Sequence, residues 1–247
     1  MSCVQYVSGG SAGTDTLIAD ACDATAAAST PSVSISAVTT APFPFAATSD
    51  LTEAVYIGYF GRAADPGGDA HWLNALNSGS ISEAGMAASF SVQSEATAPY
   101  SFLANPSTAT ITQIDFFIGS VYEDLFNRAP DSGGLAYWQN QLETNLGNPQ
   151  AVGAFILNVI SGAHGSDQTT IANKVTVADY FTQELNSAGF SFTSAAGTLA
   201  HSVVASVTSA AVLAAEATIN AWLTTQSSAA EVAVVRISHT SMVSSVS

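Results

Sequence analysis

The sequence predicts a mainly α protein: a duplicated helical bundle body with short β-strand-like N- and C-terminal tails. Three observations predict it. Residues 55–76 (VYIGYFGRAADPGGDAHWLNAL) recur as residues 121–142 (VYEDLFNRAPDSGGLAYWQNQL), without a gap, at an offset of 66 and with 12 of 22 positions identical. Agreement that dense marks a duplication. Through the middle of the chain apolar residues recur at helical spacing. Towards the ends the pattern changes: residues 32–39 alternate small polar and apolar residues, and residues 231–238 are a β-branched run.

Residues 1–48 are rich in Ser, Thr, Ala and Gly. Val4 and Val7 mark a short strand before the Gly9-Gly10 turn. Residues 15–28 have helical propensity, and residues 32–39, with Val33, Ile35 and Val38, have strand character. The prolines of residues 41–45 lack a backbone donor, so this stretch reads as an extended linker whose Phe43 and Phe45 dock on the next domain. Cys3 and Cys22, the two cysteines of the chain, are expected to form a disulfide. It closes a loop of about 20 residues and is worth roughly 3 kcal/mol in the loop-entropy account.

Residues 49–104 hold the first repeat unit. Ser49 or Asp50 caps a helix that runs to about Phe60 and ends at Gly61; Asp65 and Pro66 start a second helix. Ser82 caps a third, with Met86, Ala87 and Phe90 inward, and a break follows at Ala98-Pro99. Residues 108–164 hold the second unit. Ile111, Ile114, Phe117, Ile118, Val121, Leu125 and Phe126 form one long amphipathic stripe. Asp131 caps the next helix, carrying Leu135, Trp138 and Leu142. Pro149 starts another, with Val152, Phe155, Ile156 and Val159 inward, ended near Gly162.

Residues 167–224 read as further helices. One stripe is Ile171, Val175, Ala178, Phe181 and Leu185; a second is Val203, Val207, Ala211, Ala214, Thr218 and Trp222. Residues 229–247 form the C-terminal tail, with Val232, Val234 and Ile237 in its β-branched run.

Charge narrows the partners. Four Lys and Arg stand against 19 acids, a formal −15. Without a basic patch to neutralise phosphates the chain is not a nucleic-acid binder. No run of 18 apolar residues predicts membrane insertion. Divalent cations are the charged partners that carboxylates attract. A surface of Ser, Thr and Ala with so little Lys points to an extracellular protein. The opening MSCVQYVSGGSAG has neither a basic nor an apolar leader region, so export is expected without an N-terminal signal peptide.

Within the repeat, Arg62 and Arg128 each precede an Asp, Asp65 and Asp131, by three residues. One functional reading is a calcium or ligand site on the Asp loop, with Asp65, Asp69 and Asp131 as metal ligands; another is an Arg gripping an acidic or hydroxylated ligand. The structural reading is an Arg that pairs with the capping Asp, or with carbonyls of the preceding helix, and locks the turn. Its recurrence at the same place in both units favours structure. Trp72 and Trp138 have the makings of a sugar-stacking platform, but their spacing to Leu76 and Leu142 favours packing, as does that of Tyr56 and Tyr122 to Phe60 and Phe126. The glycines of the motif, Gly68 and Gly134 among them, permit close packing of loop and helix rather than phosphate binding. His71, His164, His201 and His239 are scattered, and no HExxH or GxSxG motif occurs, so no enzyme is expected.

The pattern Tyr-x-x-x-Phe-x-Arg-x-x-Asp-x-x-Gly-x-x-x-Trp, at residues 56–72 and 122–138, resembles the repeats of the DUF4214 family. Residues 170–185 resemble a segment that often follows such repeats, so the resemblance covers about residues 50–187. It implies a helical domain of bacterial secreted and surface-layer-associated proteins, often beside calcium-binding nonapeptide repeats and exported by type I secretion. The anchoring domain of some surface-layer proteins looks similar and holds lipopolysaccharide. The GGxGxDxxx repeat of the larger relatives is missing here. The expectation is a non-enzymatic structural protein that self-assembles through its tails into a filament or surface layer. The alternative is a module binding cell-surface polysaccharide or lipopolysaccharide.

Overall fold

A computed structural model describes residues 3–7, 16–20, 45, 47–208 and 211–243. The chain divides into two units, residues 1–43 and 44–247. In the first, β1 (Cys3–Val7) pairs antiparallel with β2 (Thr16–Asp20), Cys3 opposite Asp20 and Val7 opposite Thr16. The helix expected from residue 15 gives way to a strand over residues 16–20, where Thr, Leu and Ile favour the extended backbone. Cys22, and with it the expected disulfide to Cys3, lies outside the described residues, as do Val33, Ile35 and Val38.

The second unit is helical. Its centre is α1 (Thr48–Phe60), in which every residue from Leu51 to Tyr59 is buried. A helix covered on all sides is a core element rather than a surface one. Around it pack α2 (Pro66–Asn77), α3 (Glu83–Ser91), α5 (Ile111–Phe126), α8 (Phe155–Ser161) and α9 (Ser166–Ser187), with the single-turn α4 (Ser94–Thr97) beside it. Against α5 lies α6 (Ser132–Asn145), as α2 lies against α1. The short α7 (Pro149–Gly153) packs closely on α3. Gly153 makes this approach possible, because a Cβ there would sit 2.5 Å from the Ala88 Cα. The helix α9 spans both repeat units, touching α1 and α5.

Local chemistry sets most boundaries. Asp65 and Asp131 cap α2 and α6 by accepting from the amides of Gly68 and Gly134, and Ser82 caps α3 in the same way. Thr110 and Gln113 form a reciprocal capping box at the start of α5. The helices α1 and α5 end at equivalent positions in the left-handed conformation, at Gly61 (φ 63°) and Asn127 (φ 54°). The cap of α1 differs from expectation. Ala47 occupies the capping position without a side-chain cap, and Ser49 and Asp50 lie inside the helix, where the first-turn residues are only partly buried and leave their amides open to water.

Two further corrections fall in the C-terminal third. The stripe drawn through Val203 and Trp222 belongs to two helices, α10 (Ser194–Ala205) and α11 (Val212–Val243). Ala215 and Ile219 face inward in α11, whereas Ala214 and Thr218 are exposed. The C-terminal tail expected to be strand-like is also helix: Val232, Val234 and Ile237 lie within α11. A β-branched residue costs a helix only a few tenths of a kcal/mol. The Ala-rich stretch from residue 212 to 230 therefore propagates the helix through that run. Among the described residues no helix is long and apolar enough to cross a membrane.

Candidate functional site

Each copy of the repeat opens a cleft, and the same five side chains line both. Tyr56, Phe60, Arg62, Asp65 and Trp72 line a cavity of about 250 Å³. Tyr122, Phe126, Arg128, Asp131 and Trp138 line one of about 620 Å³. The last turns of α1 and α5 place the Tyr and the Phe four residues apart on one face, with rings edge to face at 5.7 and 5.3 Å. The left-handed residue that ends each helix turns the chain, so the following Arg folds back over the Tyr ring. The guanidinium carbon is 5.2 Å from the ring centroid in both copies.

The principal partner of each Arg is one that local sequence does not reveal. Arg62 grips Glu95 with two bonds, Nε to Oε1 at 2.6 Å and Nη2 to Oε2 at 2.8 Å. Arg128 grips Asp167 in the same way, at 2.8 and 2.6 Å. These planar two-point pairs fix orientation as well as charge. The expected partner is marginal: Arg62 Nη2 is 4.0 Å from Asp65 Oδ2. Each Arg does hold a carbonyl, but that of the next residue, Ala63 or Ala129, instead of one in the preceding helix. The capping Asp residues accept from Gly68 at 2.7 Å and Gly134 at 2.8 Å. The Gly134 amide holds the Asp131 carboxyl below the usual range.

The glycine following that Asp has a defined role in the first copy. A Cβ on Gly68 would meet the Tyr56 hydroxyl at 2.1 Å and the Asp65 carboxylate at 2.9 Å. On Gly134 the Tyr122 hydroxyl would be 3.4 Å away, an ordinary contact.

The clefts diverge in what surrounds the shared five. In the first, Phe90 fills the floor, with its ring 5.3 Å from Phe60 and 5.2 Å from Trp72. In the second, Trp138 is buried and its Nε1 donates to the Tyr122 hydroxyl at 2.7 Å. Asp167 follows Trp138 by 29 residues whereas Glu95 follows Trp72 by 23. The longer connection carries Gly162 and His164 along the rim of the second cleft, where His164 Nδ1 donates to the Gly162 carbonyl at 3.0 Å. Tyr137, 56% exposed, adds an open ring to that cleft; His71 holds the corresponding position in the first copy.

Beneath the first cleft lies a group of acids that the second copy lacks. Glu53 of α1 is fully buried and accepts from the Ala64 amide at 2.8 Å. Burial pushes its carboxyl up to about 8. The Thr182 hydroxyl lies 2.6 Å from Glu53 Oε1 and 3.1 Å from the Ala64 carbonyl, and has one proton for two acceptors. A protonated Glu53 that donates to Thr182, which donates in turn to Ala64, satisfies all three groups. Asp69 is pushed up to about 6 by burial and then by Asp65. Asp179 is pushed up to about 7 by burial and by its hydrogen bond with Asp50. The corresponding positions to Asp50, Glu53 and Asp69 in the second copy are Phe116, Gly119 and Leu135.

Of the three candidate metal ligands, Asp65 and Asp131 are thus helix caps in separate clefts. Asp69 Oδ1 is buried without a hydrogen-bond partner. Among the described residues no group of three or more His, Cys, Asp or Glu side chains is arranged to hold a metal ion.

The second copy is tied to the body by Lys174, which is 1% exposed. Its Nζ donates to the carbonyls of Asp124 and Glu123 in the last turn of α5, where a cation complements the helix dipole. Burial lowers its amine to about 8. Burial also raises the neighbouring Asp124 carboxyl to about 6, against the opposing pull of Lys174.

A family model, DUF4214, a domain of unknown function, matches residues 101–156. The match spans the second copy of the repeat and bears out the resemblance read from its motif. No curated protein and no solved structure matches the chain.

Proposed function

We propose that this chain is a non-enzymatic module of the bacterial cell exterior that binds polysaccharide through its twin clefts. The observation that carries the reading is the recurrence of one aromatic, Arg and carboxylate set in the lining of both cavities. Sugar rings offer apolar C–H faces and hydroxyl edges. Aromatic side chains take the first, and carboxylates and amides take the second. Two related clefts on one body suit a repeating polymer, because the second engagement is intramolecular and raises avidity. The exposed Tyr137 gives the reading a clean test. Tyr137→Ala is expected to keep the fold, as judged by circular dichroism, and to weaken retention in gels containing surface polysaccharide or lipopolysaccharide. Retention equal to that of the wild type, or no retention of the wild type by any such polymer, contradicts it.

Self-assembly remains a second reading, favoured by the N-terminal hairpin. Among the described residues the sheet has two strands, which are marginal alone, and strand addition from a neighbouring subunit would extend it. Removing residues 1–43 is then expected to leave a folded helical body and abolish higher oligomers in light scattering. Oligomers that persist without those residues would remove this reading.

A further inference from the structure

We infer that both clefts select uncharged polysaccharide and reject acidic polymers, a specificity that rests on the glycan-binding reading. Each cleft contains one guanidinium and two carboxylates, a formal −1: Arg62 with Asp65 and Glu95, Arg128 with Asp131 and Asp167. An Arg that anchored a uronate, phosphate or sulfate would need its fork free. Here the Nε and Nη2 edge of each fork is closed on a carboxylate, and Nη1 holds a backbone carbonyl. An anion entering the second cleft would have to displace Asp167, whose side chain is only 14% exposed, and would leave that carboxylate without its partner. Among the described residues no other Lys or Arg lines either cavity.

What remains in reach of a ligand suits neutral sugars. Asp65 and Asp131 each give one carboxylate oxygen to a helix cap. Gln93 lines the first cleft, and Gln141 and Asn158 line the second; these amides match hydroxyl and N-acyl groups. The clefts lie in a chain of formal charge −15, which opposes the approach of a polyanion from a distance.

The test titrates the full chain with O-chain polysaccharides released from a panel of bacterial lipopolysaccharides, sorted into uncharged and acidic members. The expected result is that the tightest ligand is uncharged, and that its affinity changes by less than about twofold between 0.05 and 0.5 M NaCl, because screening acts only on charge pairs. An acidic polymer as the tightest ligand, or an affinity that falls about tenfold over that salt range, overturns the selectivity while leaving glycan binding intact. Binding of neither class removes both readings. Asp167→Asn supplies an independent arm. It removes the negative charge and the two-point grip on Arg128, leaving one amide oxygen as acceptor, and is expected to raise affinity for acidic members about tenfold. An unchanged preference in this variant, with the fold intact, also overturns the inference.

Discussion

In the first copy of the repeat, α1 is enclosed by other helices, Phe90 fills the cleft floor and a buried acid group links α1 to α9. In the second copy, α5 keeps one open face, with Phe116 60% exposed, and the cleft is larger and lined also by Gly162, His164 and Tyr137. What the copies share is a local frame: a Tyr beneath an Arg, a left-handed turn, an Asp cap and a Trp. What differs is supplied from elsewhere in the chain. Duplication preserved the turn while one copy became the centre of the body and the other its open side.

The largest effect that sharpens the contrast is on the tryptophans. Trp138→Ala is expected to cost about 3–5 kcal/mol in urea unfolding, since it removes a buried ring and orphans the Tyr122 hydroxyl. Trp72→Ala, at a half-buried position, is expected to cost about 1–2 kcal/mol. Equal costs would break the comparison.

Next comes pH. Glu53 binds a proton more tightly in the folded chain than in the unfolded one. Its contribution is fully present below the unfolded value of 4.5 and is lost as pH rises to about 8. Asp69 and Asp179 act in the same direction below about 7. Unfolding free energy is therefore expected to fall with rising pH across this window, and Glu53→Gln to flatten the fall by on the order of 2–4 kcal/mol. A profile that rises from pH 5 to 8, or is unaltered by the substitution, contradicts the account of this group.

A smaller difference separates the glycines. Gly68→Ala forces the Tyr56 hydroxyl aside and is expected to cost about 1–3 kcal/mol, whereas Gly134→Ala is expected to stay within about 0.5 kcal/mol. Thermal melts of the two variants decide it. Smallest is the Arg128 pair: with Arg128 41% exposed, Asp167→Asn is expected to change stability by at most about 1 kcal/mol.

Sequence revealed what depends on neighbours along the chain. The Asp65, Ser82 and Asp131 caps, the Pro66 and Pro149 starts and the Gly61 stop are set within a few residues, and all are present. Three features were hidden because they depend on the whole fold. Glu95 and Asp167 stand 33 and 39 residues beyond their Arg partners, at spacings that differ between the copies. The burial of α1, and hence the upward push on the Glu53 carboxyl, comes from helices that close around it. The helical state of Val232, Val234 and Ile237 comes from the helix that runs into them, against their own preference. At the stretch joining α10 to α11, apolar spacing happened to continue across a break in the helix, so one stripe was read where two exist.

The clefts are most directly tested by the indole N–H signals of the three tryptophans in a ¹H–¹⁵N spectrum, recorded during titration with an uncharged surface polysaccharide. Trp72 and Trp138 line the clefts, whereas Trp222 lies on α11 outside both. The expected result is that the Trp72 and Trp138 signals shift with saturation while that of Trp222 stays in place. Signals that all remain fixed at saturating polymer, or a shift confined to Trp222, would contradict binding in the clefts.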